Sequence, residues 1–116
     1  MNPGFLTPIT INDVILANRA VVAPMCQYSA VDGFPSPWHF GHLHQLAMSG
    51  AGMLMLECTA ITMSGRITHH DLAISSDEHF IQLSKLVKHL RYVSDIVIGL
   101  QISHAGRKGS AHPPWE

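Results

Sequence analysis

Side chains able to do chemistry follow three short apolar segments of the chain. They are Cys26 and Tyr28 after the first segment, Glu57 and Cys58 at the end of the second, and Gln101 at the end of the third. A cysteine in such a position could be a nucleophile, a redox thiol or a small buried side chain, and the residues alone favour the last. Gln101 carries amide donors and a carbonyl acceptor, so it could bind the edge of a heterocycle or be satisfied by backbone groups.

Charged residues near these segments suggest an ion pair and an anion site. Glu57 lies within an apolar segment, where burial is costly without a partner, so Arg66 or Arg107 is expected to pair with it. The stretch Gly106-Arg107-Lys108-Gly109 is similar to a generic anion-binding loop, although four residues of this kind are common.

Nine histidines raise the possibility of a metal centre. His39 and His42 are three residues apart and could share a helix face, whereas His44 falls on the opposite side. A catalytic zinc site needs a third ligand, and no carboxylate or cysteine stands at ligand spacing beside this pair. His69 and His70 are expected to be solvated loop residues. Structural or surface histidines are therefore favoured over a metal.

The elements that must position these residues follow from the apolar pattern. Residues 20–25, 53–56 and 96–102 are continuous apolar runs, typical of strands covered on both faces in a parallel sheet. Helical spacing predicts a helix over about 38–48. It predicts a second helix in which Phe80, Leu83, Val87 and Leu90 form the apolar stripe, with Ser75 and Glu78 as its capping box. Residues 9–11 and 14–16 predict a hairpin ahead of these elements.

This order predicts two successive βαβ units and an α/β fold, either a doubly wound sheet or part of a (β/α)8 barrel. The first strand is followed by Met25-Cys26-Gln27-Tyr28, so the glycine-rich dinucleotide fingerprint is absent, and no P-loop occurs. A barrel takes about 250 residues. With 116 residues, ending at Pro113-Pro114-Trp115-Glu116, the chain is expected to be a truncated part of one.

Composition excludes several classes of protein. The net charge of −1 and the 13% of charged residues do not fit a protein that binds nucleic acid by bulk charge. The apolar runs are too short for a membrane span, and the N-terminus, Met1-Asn2-Pro3-Gly4, lacks the pattern of a secretory signal. Two isolated cysteines fit a reducing compartment, so a cytoplasmic protein is expected.

Blocks of sequence along almost the whole chain resemble the old yellow enzyme family of FMN-dependent ene-reductases, in the branch that has a cysteine beside the flavin. The blocks are residues 5–11, 16–29, 32–35, 38–43, 65–68, 76–79 and 101–108. The resemblance implies the first part of a TIM (β/α)8 barrel, namely the hairpin that closes the barrel floor, three strands and two helices. It implies that residues 1–116 are the N-terminal segment of a single FMN-binding domain.

The resemblance also assigns residues to the site. The implied flavin contacts are Ala23, Pro24, Met25, Cys26, Ala60 and Gln101. The thiol of Cys26 would lie near flavin N5 and O4 and tune the reduction potential. Tyr28 and Lys108 would line the substrate pocket. The family's substrate-polarising pair, its proton donor and its phosphate loops correspond to positions beyond Glu116, so no catalytic residue is assigned here.

The implied activity is transfer of hydride from NADPH or NADH through FMN to the activated C=C bond of an α,β-unsaturated carbonyl compound. Implied partners are a small enone-like substrate and, at full length, further copies of the protein, with neither nucleic acid nor membrane. The 116 residues alone are expected to bind FMN poorly and to be inactive. Two alternatives stay open: a non-catalytic barrel segment that docks onto another chain, and a small histidine-rich metal-binding protein.

Overall fold

A computed structural model describes residues 4–116; residues 1–3, part of the N-terminal stretch interpreted above, lie outside the described residues. The strands are β1 (Ile9–Ile11), β2 (Val14–Leu16), β3 (Val21–Val22), β4 (Met53–Ala60), β5 (Leu72–Ala73) and β6 (Val97–Ser103). The helices are α1 (Pro37–Ala47) and α2 (Asp77–Val93), and single 3-10 turns cover Gly4–Leu6, Met63–Gly65 and Gly106–Lys108.

The sheet is parallel and has β4 at its centre. β3 pairs with the start of β4, β5 pairs with its end, and β6 runs along its whole length. The start of β4 pairs with both β3 and β6, and its end pairs with both β5 and β6. Two strands paired with the same residues must lie on opposite edges, so β3 and β5 lie on one edge of β4 and β6 lies on the other. The predicted order of strand, helix, strand, helix, strand is confirmed, and so are the parallel pairing and the hairpin of β1 and β2.

The first predicted strand is shorter than the apolar run 20–25 indicates. Its ladder pairs only Val21 with Met53 and Val22 with Leu54. Pro24 has no N–H to donate, so the ladder cannot continue regularly through it. The chain from Ala23 onward is therefore free of the sheet, at the end where β4 and β6 also finish.

The hairpin is held against the start of the sheet by close backbone contacts. The Asn18 amide donates to the Gly50 carbonyl at 2.7 Å, and the Gly52 N–H donates to the Ala20 carbonyl at 2.9 Å. A Cβ at Gly52 would overlap the Asn18 carbonyl oxygen, so only glycine allows this approach. Gly50 and Gly52, which follow α1, thus help to position the first strand.

The core lies between the sheet and the two helices. Its buried members are Leu43, Ala47, Leu54, Leu56, Leu83, Leu86 and Leu90. Most of the predicted apolar stripe of α2 faces this core, but Phe80 is 61% exposed, and the fully buried Leu86 takes part instead. Phe80 lies four residues after Ser76, near the start of α2, and lines an open pocket on the surface with Ile74 and Leu83.

The start of α2 differs by one residue from the predicted capping box. Ser76, not Ser75, is the N-cap, and its hydroxyl accepts the His79 N–H at 3.2 Å. The side chain at the third helical position is therefore His79 rather than Glu78, and its Nδ1 lies 2.9 Å from the Ser76 hydroxyl. Glu78 is exposed in the first turn, where its charge favours the helix N-terminus.

Within residues 4–116, neither helix combines the length and the apolar character that crossing a bilayer requires.

Candidate functional site

The carboxyl ends of β3, β4 and β6 converge on one rim of the sheet. In the ladder between β3 and β4, Val21 pairs with Met53, which is 32 residues later in the chain. Cys58 is also 32 residues after Cys26. The two thiols are near neighbours across this rim. Between Leu56 and Thr59 the pairing of β4 with β6 shifts register, so β4 has one extra residue there. Both cysteines are reduced and half-buried.

Gln101 joins the third strand to this rim. The Cys58 Sγ–H donates to Gln101 Oε1 at 2.9 Å, so the amide carbonyl is engaged within the protein. The side chain is exposed, and its NH₂ group keeps two donors for an outside acceptor. This arrangement favours the interpretation of Gln101 as a binding residue over that of a buried amide.

Cys26 is a neutral thiol at physiological pH. Burial, followed by the neighbouring Cys58, Asp71 and Glu57, raises the pKa of its thiol to about 12. The thiolate is the nucleophilic form, so this environment argues against a nucleophilic cysteine. A neutral S–H can act as a weak hydrogen-bond donor.

Tyr28 has a backbone conformation that its side chain does not favour. Its φ of 49° lies in the left-handed region, which costs a bulky residue about 1–2 kcal/mol. Its ring packs edge-on against Trp115 with the centroids 5.5 Å apart. Burial, and next the Cys26 thiol, raise the pKa of the phenol, which therefore stays protonated and able to donate. The surrounding structure holds this ring in place against local strain.

The buried Glu57 pairs with a histidine and not with an arginine, so the sequence-based prediction is wrong. Its Oε1 lies 3.1 Å from His39 Nε2, with both side chains almost fully buried, and its Oε2 accepts the Gln27 N–H at 3.1 Å. His39 Nδ1 accepts the Ser36 N–H at 3.0 Å, so the ring proton sits on Nε2 and faces Glu57, although the contact is poorly aligned for a hydrogen bond.

The predicted arginine partners lie elsewhere. Arg66 donates instead to the carbonyls of Met63 and His69, at 3.0 and 2.9 Å. No ion pair joins Glu57 to Arg107 within residues 4–116. Glu57 therefore ties β4 to α1 and to the segment after β3.

The remaining residues implied by the resemblance occupy different parts of the rim. Ala23, Pro24 and Met25 form the segment that leaves the ladder, and the Met25 side chain is 55% exposed. Ala60 is the last residue of β4 and is buried, with its carbonyl accepting the Ile74 N–H. Lys108 ends the exposed turn after β6. The structure thus brings Cys26 and Gln101 together around Cys58, while Ala60 is covered.

His39 and His42 do not form a metal site. His39 is committed to Glu57, and His42 stacks on Trp38 with ring centroids 6.0 Å apart. His44 points to the other side, as predicted, with its Nδ1 3.0 Å from Nε2 of His89 on α2.

Comparison with known proteins assigns this arrangement of strands. Residues 5–113 match the family model described as NADH:flavin oxidoreductase / NADH oxidase family. The chain belongs to this family. It is therefore a member of an oxidoreductase family, as the resemblance implies.

Individual members of the family are similar over part of their length. An NADH:flavin oxidoreductase of Gibberella zeae is 43% identical over 94% of this chain and 26% of that protein. An NADPH dehydrogenase of Bacillus subtilis is 43% identical over 88% of this chain and 30% of that protein. The chain thus spans less than a third of the length of these relatives.

Solved structures of the family confirm the fold. Morphinone reductase superposes with a TM-score of 0.83 at 27% identity, over 94% of this chain and 28% of that one. The old yellow enzyme from Trypanosoma cruzi superposes with a TM-score of 0.83 at 25% identity, over 92% of this chain and 28% of that one. The parallel strands and two helices are therefore part of the family's (β/α)8 barrel, whose active sites lie at the carboxyl ends of the strands.

The rim has the chemistry that the family's flavin requires on this side of the site. The Gln101 NH₂ group can donate to a ring carbonyl or nitrogen, and Cys26 offers a neutral S–H. The segment 23–25 has left the sheet and is accessible to a planar ring. Neither Gln101, Cys26 nor the segment 23–25 carries a charged side chain that would oppose a neutral ring. These residues therefore fit a flavin.

Three residues of this site were not recognised from the sequence as parts of it. Cys58 was interpreted as core, yet its thiol donates to Gln101 and neighbours Cys26; its 32-residue spacing from Cys26 was an available signal. His39 was considered only as a metal ligand, and the contact of Trp115 with Tyr28 has no local pattern. Both contacts are set by tertiary structure.

Proposed function

We propose that this chain supplies one wall of the FMN site in an NAD(P)H-dependent ene-reductase. The observation that carries the proposal is the convergence of Cys26, Cys58 and Gln101 at the carboxyl ends of adjacent parallel strands. This is the end at which barrels of this kind hold their ligands. The family match over residues 5–113 supports FMN as the ligand.

Each rim residue has a role that follows from its environment. Cys58 holds the Gln101 carbonyl, and this orients the Gln101 NH₂ group toward the acceptors of the flavin ring. Cys26 presents a neutral thiol to the ring and adjusts its reduction potential. Ala23, Pro24, Met25 and Ala60 supply further contacts to the flavin.

Tyr28 and Lys108 form the part of the substrate pocket that this chain contributes. The protonated phenol of Tyr28 can donate a hydrogen bond to a carbonyl substrate, and its packing on Trp115 fixes the ring. Lys108 lies on the exposed turn after β6 and places a positive charge near the same end of the sheet. When bound, FMN would accept hydride from NADPH or NADH and pass it to an activated alkene.

The wall described here is one part of a single FMN-binding barrel domain. In this proposal the phosphate-binding loops and the substrate-polarising pair correspond to positions beyond Glu116. The two reduced cysteines agree with a cytoplasmic location. Association into homo-oligomers is part of the same proposal for the whole protein.

A chimera tests this function directly. This chain would replace the matching segment of the Bacillus subtilis NADPH dehydrogenase, which is 43% identical to it over 88% of the chain. We expect a yellow protein that oxidises NADPH in the presence of cyclohexenone. Gln101→Ala should weaken FMN binding by about tenfold, the loss of one good hydrogen-bonding side chain. Cys26→Ala should shift the flavin reduction potential with FMN still bound.

Gln45→Ala, an exposed change on α1, is the matched control and should leave both properties unchanged. A folded chimera, shown by circular dichroism, that binds no FMN would contradict the proposal. An FMN-loaded chimera whose potential is unaffected by Cys26→Ala would contradict the role of the thiol.

A further inference from the structure

Three potential metal ligands meet on the surface beside the rim, outside the proposed flavin site. One ring nitrogen from each of His69 and His70 and one carboxylate oxygen of Glu116 lie within 4.8 Å of one another. His69 Nε2 is 3.7 Å from Glu116 Oε1, and the two imidazole rings are 4.1 Å apart at their centroids. Two imidazoles and a carboxylate are ligands that Zn²⁺ takes in proteins.

The loop that carries both histidines is held firmly. The buried Asp71 carboxylate accepts the N–H groups of Ile67 and Thr68, at 2.9 and 3.0 Å, and the Thr68 hydroxyl at 3.1 Å. The Thr68 hydroxyl in turn accepts the His70 N–H at 3.1 Å. This network fixes the turn so that both imidazoles stay near one point without an ion to order them.

The third ligand is delivered by backbone pairing. The Ala111 N–H donates to the Ile67 carbonyl at 2.8 Å, and Thr68 and Ala111 form a parallel bridge. The Glu116 N–H then donates to the Pro113 carbonyl at 3.1 Å, which turns the chain back toward the loop. Glu116 is therefore placed opposite His69 by contacts that do not involve its own side chain.

The tautomer of His70 suits a metal ligand. Its Nδ1 lies 3.1 Å from the Ala30 carbonyl, which can only accept, so Nδ1 carries the proton and Nε2 keeps its lone pair. A backbone carbonyl on the second ring nitrogen is the usual outer partner of a metal-bound histidine. Glu116 has a similar outer partner in His112, whose Nδ1 lies 3.4 Å from Oε2.

The structure points to a Zn²⁺ site formed by His69, His70 and Glu116. Three protein ligands leave a fourth position for water, and the adjacent cavity of about 210 Å³ provides room for it. Arg66 lines the same cavity and opposes a cation, although its guanidinium is anchored on two carbonyls. With one carboxylate and this nearby charge, we expect micromolar affinity.

Zinc titration of the 116-residue chain, without an affinity tag and after treatment with a chelator, tests the site. Isothermal titration should show one Zn²⁺ per chain. His69→Ala and Glu116→Ala should each weaken binding at least tenfold, and both side chains are exposed enough to be removed without unfolding the chain. Co²⁺ in place of zinc should give the visible absorption of a tetrahedral site in the parent chain only.

Two further variants make the result specific. His42→Ala, which removes a histidine stacked on Trp38, should bind zinc like the parent chain. His44 and His89 form the only other close histidine pair described in residues 4–116. His89→Ala breaks this pair and should also bind zinc like the parent chain. Loss of binding in His89→Ala, or retention of it in both His69→Ala and Glu116→Ala, would overturn the assignment, as would no binding by the folded parent chain. The outcome is independent of flavin binding.

Discussion

The thiol of Cys26 should be unusually slow to alkylate. Its pKa of about 12 leaves very little thiolate at pH 8, so we expect iodoacetamide to modify Cys26 about 100-fold more slowly than in the same chain unfolded in urea. Peptide mass spectrometry reads Cys26 separately from Cys58. The rate in the folded chain should keep rising through pH 10 and 11. A plateau near pH 9 would show an ordinary thiol and contradict the prediction.

The raised pKa of Cys26 also makes the free energy of unfolding depend on pH in the alkaline range. The folded state raises the pKa of Cys26, so it favours the protonated thiol more than the unfolded chain does. This contribution is complete below the unfolded pKa of about 8.5 and is lost as the pH rises toward about 12. Cys26→Ala should flatten the fall in urea midpoint over this range, and an unchanged slope would argue against it.

The pair of Glu57 and His39 is the residue contact with the largest expected effect on stability. Glu57→Gln removes the charge that faces the buried Nε2–H, and we expect a loss of about 2 kcal/mol or more in the free energy of unfolding. The matched change Glu78→Gln, at an exposed site, should cost less than about 1 kcal/mol. Urea denaturation followed by circular dichroism measures both. Equal effects would mean that the contact contributes nothing specific.

At the scale of elements, the first turn of α2 allows a test of whether Ser76 or Ser75 caps the helix. Ser76→Ala should destabilise the chain by about 1 kcal/mol because it removes the hydroxyl that accepts the His79 N–H. Ser75→Ala removes only a longer contact to the His79 ring and should cost less than half as much. Thermal unfolding of the two variants decides between the observed and the predicted cap. The opposite order would restore Ser75 as the cap.

Elements with a strong local signal could be predicted from the sequence, and those set by tertiary contacts could not. The continuous apolar runs around Met53 and Val97 predicted β4 and β6, although no residue of β6 is fully buried in the described residues and the first half of β4 is buried on one face only. The strand predicted over residues 20–25 was too long since Pro24 interrupts the ladder. The partner of Glu57 was predicted wrongly because an arginine is the common partner of a buried carboxylate. His39 contacts Glu57 only because α1 packs on the sheet, and this packing leaves no local pattern in the sequence.

For the whole molecule, we expect the 116 residues alone to purify without bound FMN. In the proposed site the rim offers the flavin ring one wall, with Gln101 as its main donor, and the chain spans about 30% of the Bacillus subtilis relative. Phosphate contacts contribute strongly to flavin affinity, and the same proposal assigns them to positions beyond Glu116. An absorbance spectrum with and without added FMN measures this. A yellow protein with the mass of 116 residues would contradict the prediction.

The central position of β4 also sets how the backbone should exchange with solvent. β6 pairs with it along one edge, β3 and β5 cover only the two ends of the other edge, and Leu54 and Leu56 are almost fully buried. Deuterium from heavy water can reach the amides that bond to β6 only when these two strands separate, whereas β1 and β2 need only local fraying. The amides of β4 that face β6 should therefore hold their protons longest and report the global stability of the chain.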